Sequence, residues 1–177
     1  MKPLSLKMRA ISLLSQREHS VLELRRKLLR MAHDAQRKAA AASHAGSALE
    51  SGGAAPHPAA DTALDVDDLL AWLQAQGYLD EARFVDSRVH ARAQRFGGLR
   101  IKQELAQHGL ALSAEGQAAL NATELERAQA LWQRKFHGVA AADLAGRAKQ
   151  NRFLMARGFT PDVIRRVLRA PAEPDDA

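Results

Sequence analysis

Arg88, Arg92 and Arg95 stand at i, i+4 and i+7, so on a helix three guanidinium groups share one face. A guanidinium is permanently charged and offers a planar fork of donors, which suits phosphate and carboxylate alike. No acidic residue of the same helix lies between the three on that face. Like charges at this spacing repel by roughly 0.2–0.5 kcal/mol per pair, so a stripe kept for stability would gain from interspersed acids. The pattern reads as a surface for a phosphate backbone or an acidic partner; the bland alternative is a solvated arginine face. Arg100 and Lys102 continue the basic run just downstream. A second basic set follows at Arg147, Lys149, Arg152, Arg157, Arg165, Arg166 and Arg169. Aromatic residues are scarce among them, so base stacking is expected to be a minor term.

Other chemistries find no support. The seven histidines, at 19, 33, 44, 57, 90, 108 and 137, include no i, i+4 pair that could start a metal site on a helix. Cysteine is absent, which removes disulfides and thiolate ligands and fits a reducing compartment. No serine sits in a glycine elbow, and no glycine-rich loop with a lysine is present to cradle phosphates. Asp67-Asp68 and Asp80-Glu81 read as acids at helix starts. The expectation is a binding protein, not an enzyme, with no cofactor and no metal.

The central basic set must be carried by Asp80–Leu110. Asp80 can cap the first turn of a helix. Val85, Val89, Ala93 and Phe96 recur as its apolar stripe. Gly97-Gly98 ends it, Leu99, Ile101 and Leu105 carry a second helix, and Gly109 is placed for a left-handed C-cap. Upstream, Leu6, Ala10, Leu13 and Leu14 give a short helix. Ser20 to Glu23 forms a capping box for a helix with Val21, Leu24, Leu28 and Met31 on one side and Arg25, Arg26, Lys27 and Arg30 on most of the rest. From His33 to Ala63 large apolar periodicity disappears into Ala, Ser, Gly and Pro, the composition of a linker or flexible loop. Its polyalanine start can prolong the preceding helix by a turn or two. Asp65 reopens helix, with Val66, Leu69, Leu70 and Leu73 inward, Trp72 at a packing seam and Gly77 as the stop. Downstream come a short helix over 113–120, a capping box at Thr123–Glu126 opening a helix to about Phe136 with Ala128, Leu131 and Trp132 inward, a helix over 144–157, and Thr160-Pro161-Asp162 starting the last one. That helix holds Val163, Ile164, Val167 and Leu168.

The chain is 46% hydrophobic but only 5% aromatic, and leucine, alanine, arginine, glutamine and glutamate dominate, so an all-α fold is expected. Its pI is about 10.2. The formal net charge of +6 is unevenly spread. Residues 1–38 hold 10 Lys/Arg against 3 Asp/Glu; residues 39–82 hold 7 acids and no base. Residues 83–170 hold 16 bases against 7 acids, and the last seven residues add 3 acids. Two basic blocks around an acidic one suit a polyanion or an acidic protein surface. The start has Lys7 and Arg9 inside its apolar stretch, so no signal peptide or membrane span is expected, and the protein reads as cytoplasmic and soluble.

Gly109 and Gly158 lie 49 residues apart. Each follows a leucine by four positions, Leu105 and Leu154, and precedes a large apolar residue, Leu110 and Phe159. Leu28 fits the same mould once a loop of about 28 residues is removed. The chain therefore reads as three tandem three-helix repeats forming an elongated, curved body. The first spans 1–79, with an insertion at about 33–64; the second spans 80–121 and the third 122–170, before a disordered tail at 171–177.

Four stretches, LLSQREHSVLELRRKL, LLAWLQAQGYLDEARFVDSRV, GGLRIKQELAQHGL and FLMARGFTPDVIRRVL, in this order and spacing, resemble the RecX family, regulators of the RecA recombinase. The insertion between His33 and Asp65 replaces the short turn usual there, and Met31-Ala32 stands where a glycine is common. The resemblance implies tandem three-helix repeats and a monomeric regulator that binds the RecA–single-stranded DNA filament and suppresses its recombinase and ATPase activities. It places the protein in DNA repair, recombination and the SOS response. Affinity for free DNA stays open, and an autonomous nucleic-acid-binding helical module is the alternative. The residues expected to meet the filament are Arg88, Arg92, Arg95, Arg100, Lys102, Arg147, Lys149, Arg152, Arg157, Arg165 and Arg166.

Overall fold

A computed structural model of the chain describes residues 5–44 and 58–169. Among these residues all regular structure is helical, in nine helices, and no helix is long and apolar enough to cross a membrane. The chain divides into two compact units, the first ending at Phe84 and the second starting at Val85.

The first unit contains α1 (Leu6–Leu14), α2 (Val21–His44) and α3 (Pro58–Ala75). Ser5 caps α1 by accepting from Met8 N at 3.3 Å, and Ser20 caps α2 by accepting from Glu23 N at 3.1 Å. Both hydroxyls satisfy an N–H that the first turn leaves without a helical partner. The core is Ala10, Leu24, Leu28, Val66, Leu70, Leu73 and Leu79, and Arg25 ties α2 to α3 through a two-pronged pair with Asp67. Trp72 is half-buried, stacked on Tyr78 at 5.8 Å with the Lys7 ammonium 3.6 Å over its ring. α3 closes at Gly77, where Tyr78 N and Leu79 N both donate to Leu73 O.

One expectation needs correction. His33 to Ala63 was expected to be a linker or loop, yet α2 continues to His44 and α3 already begins at Pro58. Alanine is the best helix former, so this stretch keeps helical geometry without a periodic apolar face. The centre of the expected loop, 45–57, and the expected disordered tail, 171–177, lie outside the described residues.

α4 (Glu81–Ala93) leads into the second unit, followed by α5 (Gly98–Ala106), α6 (Ala114–Ala122), α7 (Glu124–Phe136), α8 (Leu144–Met155) and α9 (Pro161–Arg169). Asp80 Oδ1 accepts from Ala82 N and Arg83 N, the expected cap of α4. On α4 the buried residue is Phe84, while Val85, Val89, Ala93 and Phe96 are only half-buried. The core of this unit gathers α7, α8 and α9 around Leu131, Trp132, Leu154, Phe159, Ile164 and Val167.

The 49-residue correspondence appears in the hydrogen bonds. Leu110 N donates to Leu105 O at 3.1 Å, and Phe159 N donates to Leu154 O at 3.3 Å. These six-to-one bonds wrap a left-handed glycine, Gly109 at φ +73° and Gly158 at φ +77°. Leu28, Leu105 and Leu154 are all fully buried. In α2, however, no stop follows Leu28, because Met31-Ala32 lacks the glycine and the helix runs on. A second correction falls at Thr123. Its hydroxyl does not cap α7; it donates back to Leu120 O at 3.4 Å and accepts from Arg127 Nε at 3.1 Å. Thr123 has helical backbone angles, so α6 and α7 meet with one residue between them.

Candidate anion-binding cleft

α4 and α5 are joined through Gly97, and the break lets their basic faces converge. Arg88 and Arg92 from α4, with Arg100, Gln103, Glu104 and Gln107 from α5, line a polar cleft of about 420 Å³. Glu104 lies between the cations: its Oε2 is 2.9 Å from Arg92 Nε and its Oε1 is 3.6 Å from Arg100 Nε. Arg88 Nη2 lies 3.3 Å from His108 Nε2. No acid of α4 lies between the arginines on that face, as the sequence indicates, but α5 supplies one. Three guanidiniums against one carboxylate leave the cleft positive and able to take an anion.

Phe96 marks the end of this surface. The guanidiniums of Arg92, Arg95 and Arg100 lie 5.5, 5.9 and 4.8 Å from its ring centroid, within reach of the negative ring face. One aromatic ring therefore stands beside the basic cluster, whose other members carry no ring. A fifth arginine arrives from α8. Gly97 N donates to Arg157 O at 2.9 Å and Leu99 N to Gly158 O at 3.1 Å, so the end of α8 docks on the start of α5. A Cβ at Gly97 would lie 2.3 Å from Gly158 O, so only glycine permits this approach. Arg157 lies 3.8 Å over the Phe153 ring. Burial lowers its pKa, and the positive charges of Arg95 and Arg134 push the same way. A guanidinium remains charged under such shifts, so Arg157 adds positive charge beside Arg95.

The structure thus groups Arg88, Arg92, Arg95, Arg100 and Arg157. Of these only Arg88, Arg92 and Arg100 line the cleft itself; Arg95 and Arg157 lie beside it, and the lining also includes none of Lys102, Arg147, Lys149, Arg152, Arg165 and Arg166, all of which are exposed. Lys102 borders a groove with Leu110 to Gln117. Arg147 Nε donates to Ala141 O at 2.9 Å, and Arg165 pairs with Asp162 on its own helix.

Two residues that hold the site together escaped the sequence reading. Arg127, half-buried on α7, donates to Ala93 O at 2.8 Å and Phe96 O at 2.9 Å, the open carbonyl end of α4. It also donates to Leu120 O at 2.8 Å. One turn earlier, buried Glu124 accepts from Gly98 N at 2.9 Å, the open amide end of α5. A cation at a helix C-terminus and an anion at an N-terminus each complement the helix dipole. Burial lowers the Arg127 pKa, with Glu124 opposing. The only sequence signal is a Glu and an Arg three apart, which looks like an ordinary surface pair.

Comparison with known proteins places this architecture. Residues 80–113 match the second three-helix domain of RecX, and residues 122–168 match its third. The regulatory protein RecX of Ralstonia pickettii is 43% identical over 169 residues, covering 94% of this chain and 88% of that protein. The chain belongs to the RecX family. The RecX proteins of Leptothrix cholodnii, 46% identical over 168 residues, and Herminiimonas arsenicoxydans, 41% over 174, agree. The former alignment covers 94% of this chain and 88% of the relative, the latter 97% and 96%. Both family domain matches fall on the helices that build the cleft and the Glu124–Arg127 clamp.

Proposed function

We propose that this RecX-family protein is a monomeric cytoplasmic regulator, not an enzyme, that binds the RecA–DNA filament and inhibits its recombinase and ATPase activities. It would act in DNA repair, recombination and the SOS response. The observation that carries the reading is the convergence of Arg88, Arg92 and Arg100 on one cleft, with Arg95 beside them at the Phe96 ring, in a protein of this family. The partner supplies phosphates or surface carboxylates; bidentate guanidinium contacts give it both charge and orientation. Lys102, Arg147, Lys149, Arg152, Arg165 and Arg166 extend the contact beyond the cleft. The three-helix repeats at 1–79, 80–121 and 122–170 serve as the scaffold. The experiment is RecA ATPase and strand exchange with the protein titrated in. Dose-dependent loss of both supports the reading. Tight binding to one defined naked duplex sequence, with no effect on RecA, would favour the autonomous DNA-binding module instead.

A further inference from the structure

α2, running on from the expected helix into the stretch expected as loop, carries a surface outside the cleft. At 100° per residue, Arg26, Arg30, His33 and Arg37 fall within an arc of about 60°. That arc is opposite the buried Leu24, Leu28 and Ala32. All four side chains are exposed. The neighbouring cations are spoken for: Arg25 pairs with Asp67, and Lys27 lies 3.5 Å from Glu23. Among the described residues no ion pair engages Arg26, Arg30 or Arg37. Two acids of the helix flank the row: Glu23, which pairs with Arg17 and Lys27, and Asp34.

Packing does not explain why this helix is so long. Every residue from His33 to Ala41 is exposed, so the extension buries almost no apolar surface. Gln36 Nε2 donates to Thr62 Oγ1 of α3 at 2.6 Å, a polar tie. Helix propensity from the alanines holds the form, while the like charges at i, i+4 oppose it. A rigid rod bearing a row of cations about 16 Å long, at 1.5 Å per residue, remains.

We infer that this face of α2 is a docking surface for the phosphate backbone of duplex DNA, independent of base sequence. α2 contains no Phe, Tyr or Trp, so it has no platform for unstacked bases and little to offer a single strand beyond its phosphates. A duplex presents one charge per roughly 1.7 Å of axis, about twice the density of one of its strands, on a stiff support that matches a stiff row. A long arginine fork reaches phosphates without entering a groove.

The test compares the full chain with the Arg26→Gln, Arg30→Gln, Arg37→Gln triple variant and with the corresponding triple lysine variant. Affinity for a short mixed-sequence duplex is measured by fluorescence anisotropy across a salt series, with helicity and melting midpoint as fold controls. The Gln variant is expected to stay folded, lose at least about tenfold in affinity and show a log–log salt slope shallower by about 2.7, at 0.9 per lost phosphate contact. The lysine variant should keep most of both. An unchanged affinity and slope in the folded Gln variant would overturn the inference. So would a loss confined to RecA filaments with naked duplex unaffected, which would assign the row to a protein partner. If the wild-type protein binds duplex through this row but leaves RecA ATPase untouched, the filament reading fails and this one stands.

Discussion

Arg127 donates to three backbone carbonyls that α4 and α6 leave open, and Glu124 receives the first amide of α5. Removing the cation strands buried acceptors. Arg127→Gln should therefore destabilise the protein by about 1.5–3 kcal/mol in denaturant unfolding, the range for bonds to a charged group. Lysine keeps the charge but lacks the fork, so Arg127→Lys should recover little. Glu124→Gln retains an acceptor for Gly98 N and should cost less than Glu124→Ala. His19 offers a second test. It is buried, its Nδ1–H donates to Arg17 O at 2.9 Å, and its Nε2 accepts from Lys27 Nζ at 3.0 Å. Burial lowers its pKa below the ordinary 6.5, aided by the charges of Arg17 and Lys27 and opposed by the Arg17 carbonyl and Glu23. The unfolded chain thus takes up the proton first as pH falls. The stability this histidine contributes is present above 6.5 and is lost below it. The unfolding midpoint should drop between about pH 7.5 and about pH 5.5, and His19→Gln should flatten that drop. An equally steep drop in the variant would assign the effect elsewhere. The bonds of Arg127 to Ala93 O and Phe96 O could not be read from the sequence, because they join positions more than thirty residues apart.

At the scale of elements, caps and periodicity made most helices legible. Ser20 and Asp80 accept first-turn amides as their spacing indicates, and Ser5, Ser113 and Asp143, not singled out as caps in the sequence, do the same. Leu105 and Leu154 occupy matching buried sites before left-handed glycines. Leu105→Ala and Leu154→Ala should each cost about 2–5 kcal/mol in chemical denaturation; a surface-like effect at either would break the correspondence. The glycines themselves should differ. A Cβ at Gly109 meets nothing within 4 Å, so Gly109→Ala carries only the left-handed penalty of about 1–2 kcal/mol. At Gly158 the Cβ would lie 2.5 Å from Arg100 N and Cβ, so Gly158→Ala should cost clearly more and disturb the α8–α5 docking. Equal midpoints for the two variants would show that this docking bears no strain. What stayed illegible was the length of α2. Alanine favours helix through backbone propensity alone, without the apolar spacing that a reading of amphipathic faces needs. Thr123 misled for the opposite reason: its spacing to Glu126 fits a capping box, but the α6–α7 junction leaves it in helical geometry.

For the molecule as a whole, composition and charge blocks indicated an all-helical binder of a polyanion or an acidic protein surface, and the helical architecture and family agree with the fold. The convergence of α4, α5 and α8 around Phe96 was not readable, because it depends on which helix ends meet. The central claim is that Arg88 and Arg92 of α4, with Arg95 in the turn after it, contact the filament. It is tested most directly by the affinity of the Arg88→Gln, Arg92→Gln, Arg95→Gln triple variant for RecA–single-stranded DNA filaments across a salt series. Gln at position 92 leaves Glu104 near Arg100, so the fold should persist. The account predicts weaker binding and, where phosphates are the target, a salt slope shallower by about 0.7 per lost contact. Wild-type affinity and slope in a folded variant would contradict it and leave these arginines merely solvated.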